Sequence, residues 1–367
     1  MGEFSITKEK ILAALSTVEE PDLKKDLVTL NMIREVEVSL DQVKFTVVLT
    51  TPACPLKELI KQRCIEALQR DLGTGFEIII HMTSNVTANA NKSIMLPGVK
   101  NIIAISSGKG GVGKSTVTAN LAMALKKAGA RVGILDADIS GPSIPIMFGA
   151  EDMQPLVAPR DGKNYIAPIM QYGIKMISIG FLTPADSAVV WRGPMASQAL
   201  RQFFGDVDWG ELDYLLLDMP PGTSDIHLTL VQTVPVSGAV VVTTPQKVAV
   251  ADATKGGSMF SQGNINVPVL GVIENMSYFT PAELPENKYY IFGEGGGQQL
   301  ADKLGVELLG QLPIVQKIRE GGDEGRPITM DDHELVTTAF MDVAEKLAQK
   351  IAIRNATMPV TEPVMVN

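Results

Sequence analysis

Ile105-Ser-Ser-Gly-Lys-Gly-Gly-Val-Gly-Lys-Ser-Thr116 decides how the rest of the chain is read. Residues 108–115 fit the pattern G-x-x-x-x-G-K-[ST], and the flanks suit it. The apolar run 102–105 before the stretch reads as a strand, and Thr116 to about residue 128 reads as a helix. Glycines let consecutive backbone N–H groups turn toward an anion, and the following helix adds the partial positive charge of its N-terminus. Gly108, Lys109, Gly110, Gly111, Val112, Gly113, Lys114, Ser115 and Thr116 are therefore the candidate phosphate contacts. Lys114 can bridge the β- and γ-phosphates of a nucleotide, and the Ser115 hydroxyl can ligate Mg²⁺. Lys109 is a second cation in a loop that ordinarily needs one.

Working outward, residues 102–105, 132–135, 214–217, 239–242 and 269–273 are short, nearly continuous apolar runs separated by helical segments. They predict strands buried on both faces: a mostly parallel, doubly wound α/β sheet of P-loop type. Two of these strands end in carboxylates, in Asp136-Ala-Asp138 and at Asp218. Ligands of open α/β sheets bind beyond the carboxyl ends of strands. Asp138 is thus placed to orient water and Asp218 to act as an outer partner of Mg²⁺; the alternative is that both cap loops or helices. The segment Met219-Pro-Pro-Gly-Thr-Ser-Asp225 follows directly, and Gly222 can offer its N–H to a γ-phosphate.

The first 84 residues have a different texture. A helical stripe through Ile11 and Leu15, two alternating strands either side of Asp41-Gln42, a helix with Leu56, Ile60, Cys64 and Leu68 in its stripe, and a strand over 76–82 give a small α+β domain. Residues 85–97 read as a linker, 98–355 as the P-loop domain and 356–367 as a tail. The chain has 367 residues, 45% hydrophobic and 20% charged, with a net charge of −9, which argues against a nucleic-acid binder. Neither a secretory leader nor a membrane span is evident, so a cytoplasmic protein without a membrane partner is expected. Two cysteines and three histidines, none closely spaced, exclude a disulfide framework and a Cys/His zinc site.

With Lys109 in G-K-G-G-x-G-K-S-T, the Asp-Ala-Asp strand end and Asp218-Met-Pro-Pro-Gly-Thr-Ser-Asp225, the chain resembles the Mrp/ApbC family of iron–sulfur cluster carrier ATPases, relatives of MinD and the nitrogenase iron protein. The likeness covers roughly residues 98–350. Glu20-Pro21-Asp22 and Thr51-Pro-Ala-Cys-Pro55 are similar to the small domain of bacterial Mrp proteins and iron–sulfur assembly factors. The resemblance implies an ATP- and Mg²⁺-dependent homodimer that hands clusters to apoprotein clients and works with other iron–sulfur assembly proteins. It implies that Lys109 reaches the phosphates held by the other subunit, and that Asn275 contacts the adenine edge. A nucleotide-gated scaffold that carries no cluster is the alternative. A MinD-like membrane ATPase is disfavoured, because the tail beyond Met358 has no Lys or Arg.

Members of this family usually hold a [4Fe–4S] cluster on a Cys-x-x-Cys from each subunit, after the Asn-Met-Ser-Tyr-Phe segment. Residues 277–290 of this chain contain no cysteine. Cys64 falls in an apolar stripe. Cys54 stands just before a helix, where a thiol pKa is lowered, so it is either an iron–sulfur ligand or a structural residue.

Overall fold

The structure is a computed structural model that describes residues 6–39, 41–88, 95–139, 141–160, 162–182, 193–262, 265–281, 283–284, 286–331 and 334–363. The expected linker and tail thus lie partly outside the described residues. The chain forms two compact units, one of residues 1–87 with 348–358, the other of 88–347 with 359–367.

In the first unit, strands Ile33–Val38, Gln42–Leu49 and Glu77–Ser84 form one sheet in that order. The first pair is antiparallel and the second parallel. A parallel pair needs a crossover, and helix Lys57–Leu72 supplies it. Its Ile60, Cys64 and Leu68 meet Ile11 and Leu15 of helix Lys8–Leu15 and Val43, Phe45 and Val47 of the central strand in one core. Thr7 caps the first helix by accepting from the Lys10 N–H at 3.4 Å. Within the same unit, Gln349 Nε2 donates to Asp22 Oδ1 at 2.6 Å, and Asn355 Nδ2 donates to the Thr87 carbonyl at 2.9 Å. These bonds tie the end of helix Glu334–Thr357 to this unit.

The second unit holds an eight-stranded sheet. Its order is Ile169–Gln171, Ile174–Ser178, Val132–Asp136, Tyr214–Asp218, Ile102–Ser107, Gly238–Thr243, Val269–Glu274 and Leu308–Gln311. The first pair is antiparallel and every later pair parallel. The four central strands are buried at every position, which is why they read as unbroken apolar runs. Alternation sends Ile102, Ala104, Leu215 and Leu217 to one face, where Leu200, Phe203, Leu230 and Phe260 cover them. Ile103 and Leu216 then point to the other face, and helix Lys114–Lys127 packs on strands of this central set.

The sheet has three strands beyond those expected from sequence: Ile169–Gln171, Ile174–Ser178 and Leu308–Gln311. The first two form a hairpin closed by Tyr172 and Gly173, both with positive φ (48° and 75°), as a two-residue turn of this hand requires. Among the described residues no helix is long and apolar enough to cross a membrane.

Candidate functional site

Asp136 and Asp218 end adjacent parallel strands in register, and Ile105 of the strand that feeds the glycine loop is paired with Asp218 from the other side. The fold therefore delivers the loop and both carboxylates to one edge of the sheet. Two glycines of the loop are dictated by geometry. A Cβ on Gly108 would overlap the backbone of Asp252 and Ala253 in helix Lys247–Phe260, and Gly113 has φ +80° at the N-cap of helix Lys114–Lys127. A cleft of about 190 Å³ opens above, lined by Lys109 and the loop through Thr116, with Asp138, Ser143, Met147 and Pro221 around it.

Below the cleft lies a closed polar network. The Lys114 ammonium, only 6% exposed, stands 2.8 Å from Asp218 Oδ2 and 3.9 Å from Asp138 Oδ2. Ser115 Oγ donates to Asp218 Oδ2 at 2.6 Å and Thr118 Oγ1 to Asp218 Oδ1 at 2.7 Å. Both oxygens of a fully buried carboxylate are thereby satisfied. Burial, and then the neighbouring Asp218 charge, push the Asp136 carboxyl up to about 8. At neutral pH the Asp136 carboxyl is therefore biased toward its protonated form, beside the Lys114–Asp218 pair. Asp136 also accepts from the N–H groups of Asp138 (3.1 Å) and Ile144 (3.3 Å) and from Ser178 Oγ (3.0 Å), which fixes the turn that presents Asp138.

The other expected residues are placed as follows. The Ser107 hydroxyl donates to the Lys109 carbonyl at 3.1 Å, leaving the Lys109 side chain at the cleft, with no ion pair among the described residues. The Gly222 N–H donates to the Ser107 carbonyl at 2.8 Å, so residues 219–224 rest on the strand that feeds the loop. Asn275 Nδ2 donates to the Val112 carbonyl at 2.9 Å, and the side chain presses on Gly113. Asn275 thus buttresses the loop, a task the sequence did not suggest.

Cys54 belongs to the first unit and is half-buried against its core; Cys64 is wholly buried there, and burial pushes its thiol up to about 12. In the stretch without cysteines, Phe279 and Tyr289 pair in an antiparallel bridge and Lys288 lies over the Tyr278 ring at 4.4 Å. A further glycine-rich stretch, Gly293-Glu-Gly-Gly-Gly297, leads into helix Gly296–Leu304, where the Gly297 N–H donates to the buried Glu274 carboxylate. A larger groove of about 1130 Å³ runs beside Tyr278, Lys317 and Lys346. Its lining mixes Glu286, Lys288, Gln311 and Asp342 with Leu308, Leu309 and Leu335, and none of the phosphate-loop residues or strand-end carboxylates reaches it.

Thr118 and Asp136 were not read as part of the site. Thr118 had a signal, since it follows Ser115 by three residues and shares its helix face. Asp136 had one too, as the first carboxylate of the Asp-Ala-Asp strand end.

A strand, a glycine-rich turn with an invaginated lysine, a helix and an aspartate on the next strand define a P-loop nucleotide-binding protein. More narrowly, the chain belongs to the NUBPL iron-transfer P-loop NTPase family, whose model matches residues 98–350. Residues 8–78 match the model for iron–sulfur cluster assembly proteins. An iron–sulfur cluster carrier protein of Synechocystis is 47% identical, the match covering 95% of this chain and 99% of that one. Its counterpart in Escherichia coli is 44% identical over 95% of this chain and 94% of its own. Among solved structures, the nucleotide-binding protein of Archaeoglobus fulgidus in complex with ADP superposes with a TM-score of 0.55 at 42% identity, over 64% of this chain and 90% of that one.

Proposed function

We propose that this protein is a Mg²⁺-dependent ATPase of the cytoplasm, active as a homodimer, that carries an iron–sulfur cluster as cargo and delivers it to apoproteins together with other iron–sulfur assembly proteins. The observation that carries the reading is the Lys114–Asp218–Ser115 network under the loop. The names of the full-length relatives support the cargo and weigh against a scaffold that carries no cluster.

The donor set fits Mg²⁺. The Ser115 hydroxyl gives its proton to Asp218 and accepts from the Lys114 ammonium at 3.2 Å, so movement of Lys114 toward phosphate would free its oxygen for the ion. Mg²⁺ favours hard oxygens and keeps most of its shell for phosphate and water, so one hydroxyl with a carboxylate behind it suffices. When bound, the ion neutralises charge that builds on the β- and γ-phosphates.

The protein's own residues do the rest. The loop N–H groups, with those of Ser115 and Thr116 at the helix start, hold the phosphates; Lys114 swings from Asp218 toward the phosphate oxygens. Asp138 orients the attacking water, held in place by the Asp136-anchored turn. Gly222 leaves the Ser107 carbonyl to meet the γ-phosphate, which makes residues 219–224 a switch. Asn275, its Nδ2 committed to Val112, offers Oδ1 to the adenine amine. Lys109 acts in trans across the two-fold, so turnover waits on assembly.

The deciding experiment pairs two readouts on one preparation. Phosphate release should require Mg²⁺, and protein loaded anaerobically with a cluster should activate a cluster-dependent apoenzyme faster with ATP than without. Absence of both hydrolysis and transfer would overturn the reading.

A further inference from the structure

His227 is 1% exposed, lies nine residues after Asp218, and is unused by the reading above. It occupies the third position of helix Asp225–Thr233 and closes a capping box with Ser224. The Ser224 N–H donates to its Nδ1 at 3.2 Å, so Nδ1 is bare. Burial holds the ring well below the ordinary histidine range, at about 4, so at neutral pH it is uncharged and its single proton sits on Nε2. That Nε2–H is buried and has no partner.

A capping box normally uses Glu or Gln at this position, and a Glu carboxylate would leave no stranded donor. An unsatisfied buried donor costs about 1–3 kcal/mol, so an imidazole here needs a further reason. Its surroundings supply one. The ring meets Phe260 edge-on at 6.5 Å between centroids, in the layer that covers Ile102 and Ala104. Strand alternation puts Ser106 on that same face, and the Ser106 hydroxyl is likewise buried without a partner. The residues flanking Ser106 are the two that hold the switch: the Ile105 carbonyl accepts from the Met219 N–H at 3.1 Å, and the Ser107 carbonyl accepts from the Gly222 N–H at 2.8 Å. Two orphaned groups thus adjoin one segment: His227 lies three residues beyond it, and Ser106 lies between the two residues that bond it.

We propose that His227 is the positioning residue of the 219–224 switch, and that closure of the switch on nucleotide joins its Nε2–H to the Ser106 hydroxyl. Nδ1 clamps Ser224, so the ring travels with the segment. In the resting state the donor is held without an acceptor, which lifts that state in energy. When Gly222 is released from Ser107, the same displacement carries the imidazole to Ser106 and satisfies both groups. The closed state gains a hydrogen bond that has no counterpart in the open one. This inference rests on the ATPase reading.

The test compares the parent with His227→Gln, Ser106→Ala and the double variant. Gln keeps the cap on Ser224 but cannot place a donor at the Nε2 position in the same way. ADP affinity should hold in all three, while ATP affinity weakens and kcat falls, together about tenfold in each single variant, the worth of one lost hydrogen bond that only the closed state makes. The double variant should be no slower than either single one. A parent-like kcat for His227→Gln would show that the histidine is only a cap and would overturn the proposal, as would losses that multiply in the double variant. A second readout needs no variant: nitrogen-15 shifts of the His227 ring should show Nε2–H gaining an acceptor with a non-hydrolysable ATP analogue but not with ADP. Identical spectra in both would also overturn it. Failure of the ATPase reading itself would appear separately, as unchanged turnover in Lys114→Ala.

Discussion

Lys114 is almost fully buried beside a fully buried carboxylate, so its charge serves the empty fold as well as the nucleotide. Lys114→Ala leaves Asp218 charged with no counter-ion, a change that costs about 3–5 kcal/mol. The variant should melt earlier, abolish phosphate release and bind ATP at least about 10- to 100-fold more weakly by calorimetry. Lys109 has no such structural duty. Lys109→Ala should fold like the parent and retain most binding, while turnover falls by about 10²-fold or more. Parent-rate hydrolysis in both variants would mean that the site is wrongly assigned. His227 gives the pH dependence. Its folded-state value near 4 lies below the ordinary 6.5, so its stabilising contribution is complete above 6.5 and is lost as pH falls through 4. Between those limits the parent should lose up to about 3 kcal/mol that His227→Gln retains, since glutamine does not titrate. Melts of the two proteins at pH 7 and pH 4.5 would show the parent losing more stability in the acid than His227→Gln, or refute it by running parallel.

At the scale of elements, the loop depends on how closely helix Lys247–Phe260 approaches it. A methyl on Gly108 would sit inside the backbone of Asp252 and Ala253, which cannot yield as a side chain can. Gly108→Ala should therefore cost about 1–3 kcal/mol and weaken ATP binding, because the loop must shift to relieve the overlap. Gly110, where an added Cβ meets nothing within 4 Å, is the matched control, and Gly110→Ala should melt close to the parent. The contrast shows what the sequence could convey. The pattern demanded Gly108, but nothing in it said which helix would crowd that position. Likewise, the five buried strands were legible because burial on both faces leaves only apolar residues. Ile169–Gln171 and Leu308–Gln311 are edge strands three and four residues long, with exposed positions that dilute the signal. Asn275 acts through a contact with Val112 that only the folded chain brings about, across 163 residues, whereas the capping box of Ser224 and His227 is local and holds a histidine in place of the usual Glu or Gln.

At the scale of the whole molecule, the open matter is how the cargo is held, and ligand counting sets the limits. In the proposed homodimer two chains would bring four cysteines, the number a [4Fe–4S] cluster takes. Cys64 is removed from that count, since a thiol fully buried in the core and pushed up to about 12 does not offer a thiolate near neutral pH. Among the described residues no group of three or more His, Cys, Asp and Glu could hold a metal ion. That leaves Cys54, half-buried and three residues ahead of the start of helix Lys57–Leu72, as the one thiol per chain with access to solvent. A cluster bridged by one Cys54 from each subunit needs two further ligands from a small thiol, a client or oxygen and nitrogen donors, and should be exposed and labile. The isolated protein should therefore lose most of its iron and sulfide on desalting after anaerobic reconstitution, with ATP hydrolysis intact. Adding a thiol such as glutathione should raise retention, and Cys54→Ala should abolish that gain. A full cluster that survives Cys54→Ala would place the ligands elsewhere. A stable cluster lost on that substitution would make Cys54 the ligand, with a tighter second donor than counting predicts.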